Sequence, residues 1–180
     1  MKLRILVVWA IVMVFLPAGP ALRISPAAAA QPAQPPGTCQ NIQLLIRPQS
    51  SEGAAGTITL IYRIHNLSGQ ACTLHGYPGV QLLDRRFMSL PTTVHRGGGF
   101  LGRIPVRLIR LGAYGNAYFT LSYSDVPINN QPCPAAYYLM IFAPNDFLPV
   151  VTYVVPRGGS ITACSGNINV SPVTARPRFQ

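Results

Sequence analysis

The sequence predicts an all-β protein, a single-domain antiparallel immunoglobulin-like β-sandwich with about eight strands and two disulfides. Apolar and polar residues alternate over several short stretches, most clearly from Ala117 to Tyr123, and this two-residue period is typical of a half-buried strand. Turn residues recur between these stretches, and no window longer than about ten residues has the 3.6-residue period of an amphipathic helix. Short strands without helices between them favour two packed sheets, and a closed barrel is the alternative.

Residues 1–30 have the pattern of a secretion signal. Two basic residues precede an apolar run, Ile5–Leu16, which is shorter than the roughly 17 to 25 residues of a membrane-spanning helix. Small residues offer a cleavage site at Ala30, or an earlier one at residues 19–21. Because the first cysteine, Cys39, lies far from the apolar run, no lipid attachment is expected. We therefore expect a secreted or extracytoplasmic protein whose mature chain has no transmembrane span.

The rest of the chain is expected to form one domain with a short extension at each end. Residues 31–38 are rich in proline and predict a stiff linker, and residues 39–172 would form the β-sandwich domain. Residues 171–180, with two prolines and two arginines, predict a frayed end, of which residues 173–180 form a flexible C-terminal tail. From residue 31 onward the chain has eleven arginines, no lysine and four carboxylates, a formal net charge of +7, which would attract acidic partners.

The expected strands follow one another with turns between them. The first begins at Ile42 and ends at Arg47-Pro48, before a polar turn at residues 49–53. Residues 85–105 contain several glycines and prolines and predict a flexible excursion that is not buried. The remaining strands are expected at 57–65, 80–84, 106–111, 117–123, 137–142, 148–155 and 168–170.

The stretch from Asn66 to Asp84 contains two turns that organise this pattern. The chain reverses after the second strand at residues 66–69. Tyr77-Pro78-Gly79 predicts another turn, in which proline presets φ at about −65° and Gly79 accepts a positive φ. Cys72 lies between these two turns, so we expect it to anchor a disulfide.

The four cysteines allow three disulfide pairings. We predict that Cys39 pairs with Cys72 and that Cys133 pairs with Cys164. Each of these pairs joins the start of a strand to a neighbouring turn, whereas crossed pairings would tie the two halves of the domain together. The cysteines are too far apart in sequence for the C-x-x-C spacing of a zinc site.

A series of short motifs runs through the chain in a fixed order. They are Gly56, Asn66-Leu67-Ser68-Gly69 with Cys72-Thr73-Leu74, Gly76-Tyr77-Pro78-Gly79-Val80, Leu111-Gly112, Cys133, and Cys164 with Gly166 and Ser171-Pro172. With these motifs the sequence resembles a family of exported bacterial proteins, the domain of unknown function 4232. The resemblance covers Cys39 to about Pro172 and implies a secreted or surface-attached, disulfide-bonded sandwich domain with no assigned activity.

No catalytic, cofactor or metal site is predicted. Glycines within residues 97–102 match G-x-G-x-x-G, but no helix follows them to bind a pyrophosphate at its N-terminus. A serine hydrolase needs a histidine between a nucleophile and an acid, and no such constellation is evident around the three histidines. A cryptic hydrolase is therefore the least favoured alternative. The histidines are His65, His75 and His95.

Arginines are concentrated between residues 85 and 110, where no acidic residue occurs. Guanidinium groups on a glycine-rich segment can contact an extended anion, although a solvated basic loop has the same composition. We expect a non-enzymatic binding domain whose arginine-rich segment contacts anionic polymers of the cell envelope or acidic lipid headgroups. A structural or protein-interaction module that binds another envelope protein is the alternative. No cofactor and no nucleic acid is expected. The candidate anion-binding residues are Arg85, Arg86, Arg96, Arg103, Arg107 and Arg110.

Overall fold

The computed structural model describes residues 36–127 and 133–178. The predicted signal and most of the predicted linker, at residues 1–35, lie outside the described residues, as do residues 179–180 of the predicted tail. The described chain is all-β, and both predicted disulfides, Cys39–Cys72 and Cys133–Cys164, are present. The predicted all-β class and the predicted disulfide pairing are confirmed. Within the two described ranges, no helix has the length and apolar character needed to cross a membrane.

The described residues form twelve strands in four sheets. In chain order the strands are β1 Leu44–Ala54, β2 Thr57–Asn66, β3 Cys72–His75, β4 Gly79–Leu83, β5 Thr93–Arg96, β6 Leu108–Leu111, β7 Asn116–Ser124, β8 Ala135–Ala136, β9 Tyr138–Phe142, β10 Pro149–Tyr153, β11 Ile161–Thr162 and β12 Asn167–Val170. One sheet has five strands in the order β1-β2-β7-β12-β5, and another has three in the order β10-β9-β4. Two-stranded sheets are formed by β11 with β8 and by β3 with β6. Short 3-10 turns lie at Asn41–Gln43, Gly99–Leu101 and Cys164–Gly166.

The prediction of about eight strands was too low because several strands are very short. β8 and β11 have two residues each, which is too few for an alternating pattern to be visible. β5 lies in the section that was expected to be irregular, and it pairs in parallel with β12. The five-stranded sheet is therefore not wholly antiparallel.

β1 is longer than predicted. It does not end at Pro48 before a polar turn but continues to Ala54, and the hairpin to β2 turns at Ala55-Gly56. Both turn residues have positive φ, 48° and 76°, as a two-residue type I′ turn requires. The register shifts between Pro48 and Ser50. β1 is an edge strand, and an edge strand tolerates a proline that cannot donate to the ladder.

Side chains from the five-stranded and three-stranded sheets form one hydrophobic core. Tyr62 on β2 and Phe119 on β7 are paired in register and stack with their ring centroids 4.9 Å apart. Leu139 and Ile141 on β9 are buried in the same cluster. The Tyr62 hydroxyl donates a hydrogen bond of 2.6 Å to the Val154 carbonyl, and burial raises its pKa, so the proton needed for this bond is retained. The apolar residues of the alternating pattern that predicted β2 and β7 are therefore the ones buried in the core.

The turn at Tyr77-Pro78-Gly79 is built differently from the prediction. Gly79 is the first residue of β4 and has no positive φ, whereas Gly76, with φ of 114°, has one. β3 ends at His75 and β4 begins at Gly79 in another sheet, so Gly76 and Pro78 lie in the connection between two sheets. The requirement for glycine therefore falls three residues earlier than the sequence suggested.

Asn66 is fully buried at the end of β2 and connects two loops. Its amide nitrogen donates hydrogen bonds to the carbonyls of Gln70, at 2.7 Å, and Gly112, at 2.9 Å. Its amide oxygen accepts from the backbone N–H of Ser68, at 3.0 Å, and from the Ser68 hydroxyl, at 2.8 Å. This side chain satisfies the backbone of the turn that the sequence predicted after the second strand.

Replacing Asn66 by alanine should lower the free energy of unfolding by about 2 to 4 kcal/mol, because two carbonyls and one N–H lose their partner at a buried site. Urea denaturation would measure the change. Asn116→Ala is the matched control, since Asn116 is exposed and its side chain contacts only the His65 ring among the described residues. Equal destabilisation by the two changes would contradict the organising role of Asn66.

Candidate anion-binding site

Residues 96–105 lie against the outer face of the five-stranded sheet. Leu101 is only 3% exposed, and the Gly97 N–H donates a hydrogen bond of 2.8 Å to the Val170 carbonyl at the end of β12. Thr120 points away from the core, yet it is 3% exposed. Leu101 is therefore an exception to the predicted unburied excursion, while Arg96 and Arg103 on either side of it are exposed.

Glycines in this segment make a tight loop. Gly97, Gly98, Gly99 and Gly102 all have positive φ, between 55° and 79°, a region that other residues rarely adopt in succession. The Gly98 N–H also donates to the Gly102 carbonyl at 3.1 Å. The glycine run that matches a nucleotide-binding motif thus turns the chain back over the sheet.

A groove of about 410 Å³ opens between this loop and the β1–β2 hairpin. Three threonines of the sheet line it, Thr57, Thr59 and Thr120, together with Arg103 from the loop and Arg178 from the C-terminal segment. Hydroxyl groups and guanidinium groups therefore share one open surface, which can hydrogen-bond to a polar anion.

Two neighbouring grooves continue the first one around Ile104. One, of about 370 Å³, contains Arg96 and shares Arg103 with the first groove. The other, of about 190 Å³, contains Arg107 and Arg176 and shares Arg178. We refer to these connected grooves as the arginine groove. Its five arginines are Arg96, Arg103, Arg107, Arg176 and Arg178.

The positive charge of the arginine groove is not neutralised by the protein. Among residues 36–127 and 133–178, no arginine side chain lies within 4.0 Å of a carboxylate oxygen. Glu52 is the one carboxylate that lines the described grooves, so five arginines and one glutamate leave a formal charge of +4. Exposed, unpaired guanidinium groups keep their full capacity to bind an anion.

Arg176 and Arg178 reach the groove because the chain before them is held against the sheet. Val173 is buried, and its N–H donates to the Gly76 carbonyl at 2.9 Å. Thr174 and Tyr118 exchange backbone hydrogen bonds of 2.8 and 2.9 Å. Sequence reasoning assigned these residues to the tail and missed both arginines; an apolar residue directly after Ser171-Pro172 was the available signal.

Comparison with protein families places the chain in a known group. The model of the family described as a domain of unknown function, DUF4232, matches residues 39–174. The chain belongs to the DUF4232 family. No curated protein and no solved structure matches it. The match includes the three groove arginines of the DUF4232 domain that come from residues 96–107, and it ends just before Arg176.

The other three predicted arginines of the DUF4232 domain lie away from the groove. Arg85 follows β4, its guanidinium carbon lies 4.5 Å from the centre of the Tyr137 ring, and it donates a hydrogen bond of 2.9 Å to the Tyr137 hydroxyl. Arg86 is exposed in the same turn. Arg110 lies on β6 opposite Thr73. The structure thus separates the six residues that the sequence grouped.

Two of the three histidines of the DUF4232 domain lie beside asparagine side chains. His65 Nδ1 lies 3.0 Å from Asn116 Oδ1, and His95 Nε2 lies 3.3 Å from Asn167 Oδ1. Within the described residues, neither of these two histidines makes a hydrogen bond to a carboxylate, a hydroxyl or a thiol group. Within the described ranges, no group of three His, Cys, Asp or Glu side chains is close enough together to hold a metal ion.

Proposed function

We propose that this DUF4232 domain is a non-enzymatic, secreted or cell-envelope binding domain with an immunoglobulin-like β-sandwich fold, and that its arginine groove binds an anionic polymer of the envelope. The observation that carries the proposal is the set of five exposed arginines without ion pairs around connected grooves. Guanidinium groups bind phosphate and carboxylate groups through two parallel hydrogen bonds. Two disulfides suit a protein that works outside the cytoplasm.

The shape of the arginine groove favours an extended ligand over a small one. Ile104 lines all three grooves, so a polymer that passes this residue can bring its repeated charges close to several arginines. The threonine hydroxyls of the largest groove add hydrogen-bonding partners for the uncharged part of such a polymer. Because all five arginines are exposed, each contact is weak and screened by salt.

Replacing Arg96, Arg103 and Arg107 together by serine should lower the affinity for immobilised polyphosphate by about tenfold, since three exposed charge contacts contribute roughly 0.5 kcal/mol each. Retention of the full chain should also fall steeply between low and physiological salt. Salt-gradient elution measures both effects, and a polygalacturonate column shows whether carboxylates replace phosphates.

The chain offers a matched control in the other three predicted arginines. Replacing Arg85, Arg86 and Arg110 by serine removes the same charge from positions outside the arginine groove. This variant should elute at nearly the same salt concentration as the parent. Thermal melting of all three proteins verifies that they are folded. If both triple variants elute at the same reduced salt concentration, retention reflects net charge alone, which favours a structural or protein-interaction role over polymer binding.

A further inference from the structure

One end of the domain carries a group of large apolar side chains that stand in solvent. It is the end where β1 begins and β2 finishes, with Leu44 paired to Asn66. The side chains come from four loops and are between 51% and 90% exposed, Phe147 the most. We call this group the apolar tip. Its members are Ile42, Leu67, Tyr114, Phe147 and Leu148.

Backbone hydrogen bonds hold the loops of the apolar tip together. The Leu67 N–H donates to the Gln43 carbonyl at 2.7 Å, next to Ile42. The Tyr114 N–H donates to the Ser68 carbonyl at 3.3 Å. Three of the four loops are therefore joined directly, which places their apolar side chains at the same end of the domain.

The fourth loop is fixed by a polar network beneath it. The buried Asn41 side chain donates to the Leu148 carbonyl and accepts a 3.2 Å bond from the Ala143 N–H. The Asp146 carboxylate accepts from the backbone N–H groups of Asn41 and Leu148, and these bonds lower its pKa. Phe147 and Leu148 therefore project from a loop whose conformation does not depend on burying them.

The charges of this end are arranged in two layers. The tip loops, residues 40–43, 67–71, 112–115 and 143–148, contain no arginine and one carboxylate, Asp146. Behind them, Arg47 and Arg63 are paired in register on β1 and β2, three residues from the strand ends and therefore about 10 Å away. Arg110 immediately precedes the last residue of β6. We call these three exposed arginines, which lie behind the apolar tip, the basic collar.

We propose that the apolar tip inserts into the interfacial region of a lipid bilayer and that the basic collar contacts anionic headgroups. Protruding Phe, Leu and Ile side chains on separate loops can enter a soft interface, and tyrosine is enriched at the headgroup level. Arginines near the surface are attracted to anionic lipids.

This contact is separate from the arginine groove. The largest groove is lined by residues 52–55, at the far end of β1 from Leu44. A domain bound to a bilayer through its apolar tip would leave that groove open. The lipid proposal and the polymer proposal can therefore fail independently.

A tryptophan placed in the tip tests the proposal on the full chain. The sequence has one tryptophan, Trp9, so Phe147→Trp in a Trp9→Phe background reports on position 147 alone. With vesicles of phosphatidylglycerol and phosphatidylcholine, its emission should shift to shorter wavelength and be quenched by brominated lipid. Met88→Trp in the same background is the matched control, since Met88 is also exposed and is not part of the tip; its quenching should be several-fold weaker.

Other outcomes would overturn the proposal. Equal quenching at positions 147 and 88 would show adsorption without a preferred end, and no quenching at 147 would mean that the tip meets a protein partner or solvent. Replacing Arg47, Arg63 and Arg110 by serine in the Phe147→Trp protein should reduce quenching at low salt. If this triple replacement leaves the quenching unchanged, or if vesicles of phosphatidylcholine alone give equal quenching, the basic collar does not contact anionic headgroups.

Discussion

Removing both disulfides should lower the melting temperature by about 15 to 25 °C. The bridges close loops with sequence separations of 33 and 31 residues. In the chain-entropy account each such loop stabilises the fold by about 3.7 kcal/mol, because the cross-link restricts the unfolded chain. The sum is comparable with the whole net stability of a typical domain.

Calorimetry of two double-alanine variants would separate the bridges. Cys39 and Cys72 are both buried, whereas Cys133 is half-buried. Removing the first pair should therefore have the larger effect, because it also leaves a cavity in the core. A reduced protein that melts at the temperature of the oxidised one would contradict the expected contribution of the bridges.

The parts of the fold that were predictable are those with long alternating strands. Residues 117–123 lie in β7, where each apolar residue faces the core and each polar one faces outward. β5 was missed because its neighbours in sequence are Pro91 and the glycine run, and because its partner β12 lies about 70 residues away. A strand whose pairing comes entirely from a distant segment has no local signal beyond β-propensity.

The candidate site was predictable from charge density only in part. Arg96, Arg103 and Arg107 line connected grooves, as a dense run of arginines on one loop suggested. Arg85 is close to this run in sequence but stacks on Tyr137 elsewhere. Arg178 is distant in sequence yet shares the largest groove with Arg103. The packing of Val173 against the sheet places Arg178 in the same groove as Arg103, and a count of charges along the sequence cannot reveal that packing.

Replacing Gly166 by alanine should lower the free energy of unfolding by about 3 kcal/mol or more. Gly166 has φ of 66°, and a Cβ atom there would lie 2.2 Å from the Pro91 carbonyl oxygen and 2.9 Å from its carbonyl carbon. Both are backbone atoms, so the clash cannot be relieved by rotating a side chain. The chain from Pro91 into β5 would have to move away from β12, and urea denaturation would measure the loss.

Gly79→Ala is the control for this prediction. Its effect on the free energy of unfolding should lie between zero and a stabilisation of about 1 kcal/mol. Gly79 has no positive φ, and an added Cβ atom would meet the Phe142 Cβ atom at 3.4 Å, an ordinary contact. β5 ends at Arg96, where the loop of the arginine groove begins. The displacement of β5 expected in Gly166→Ala should therefore also weaken retention on polyphosphate. Gly79→Ala should leave this retention unchanged. Equal unfolding midpoints for the two variants would show that the approach of Gly166 to Pro91 does not fix the β5–β12 pair.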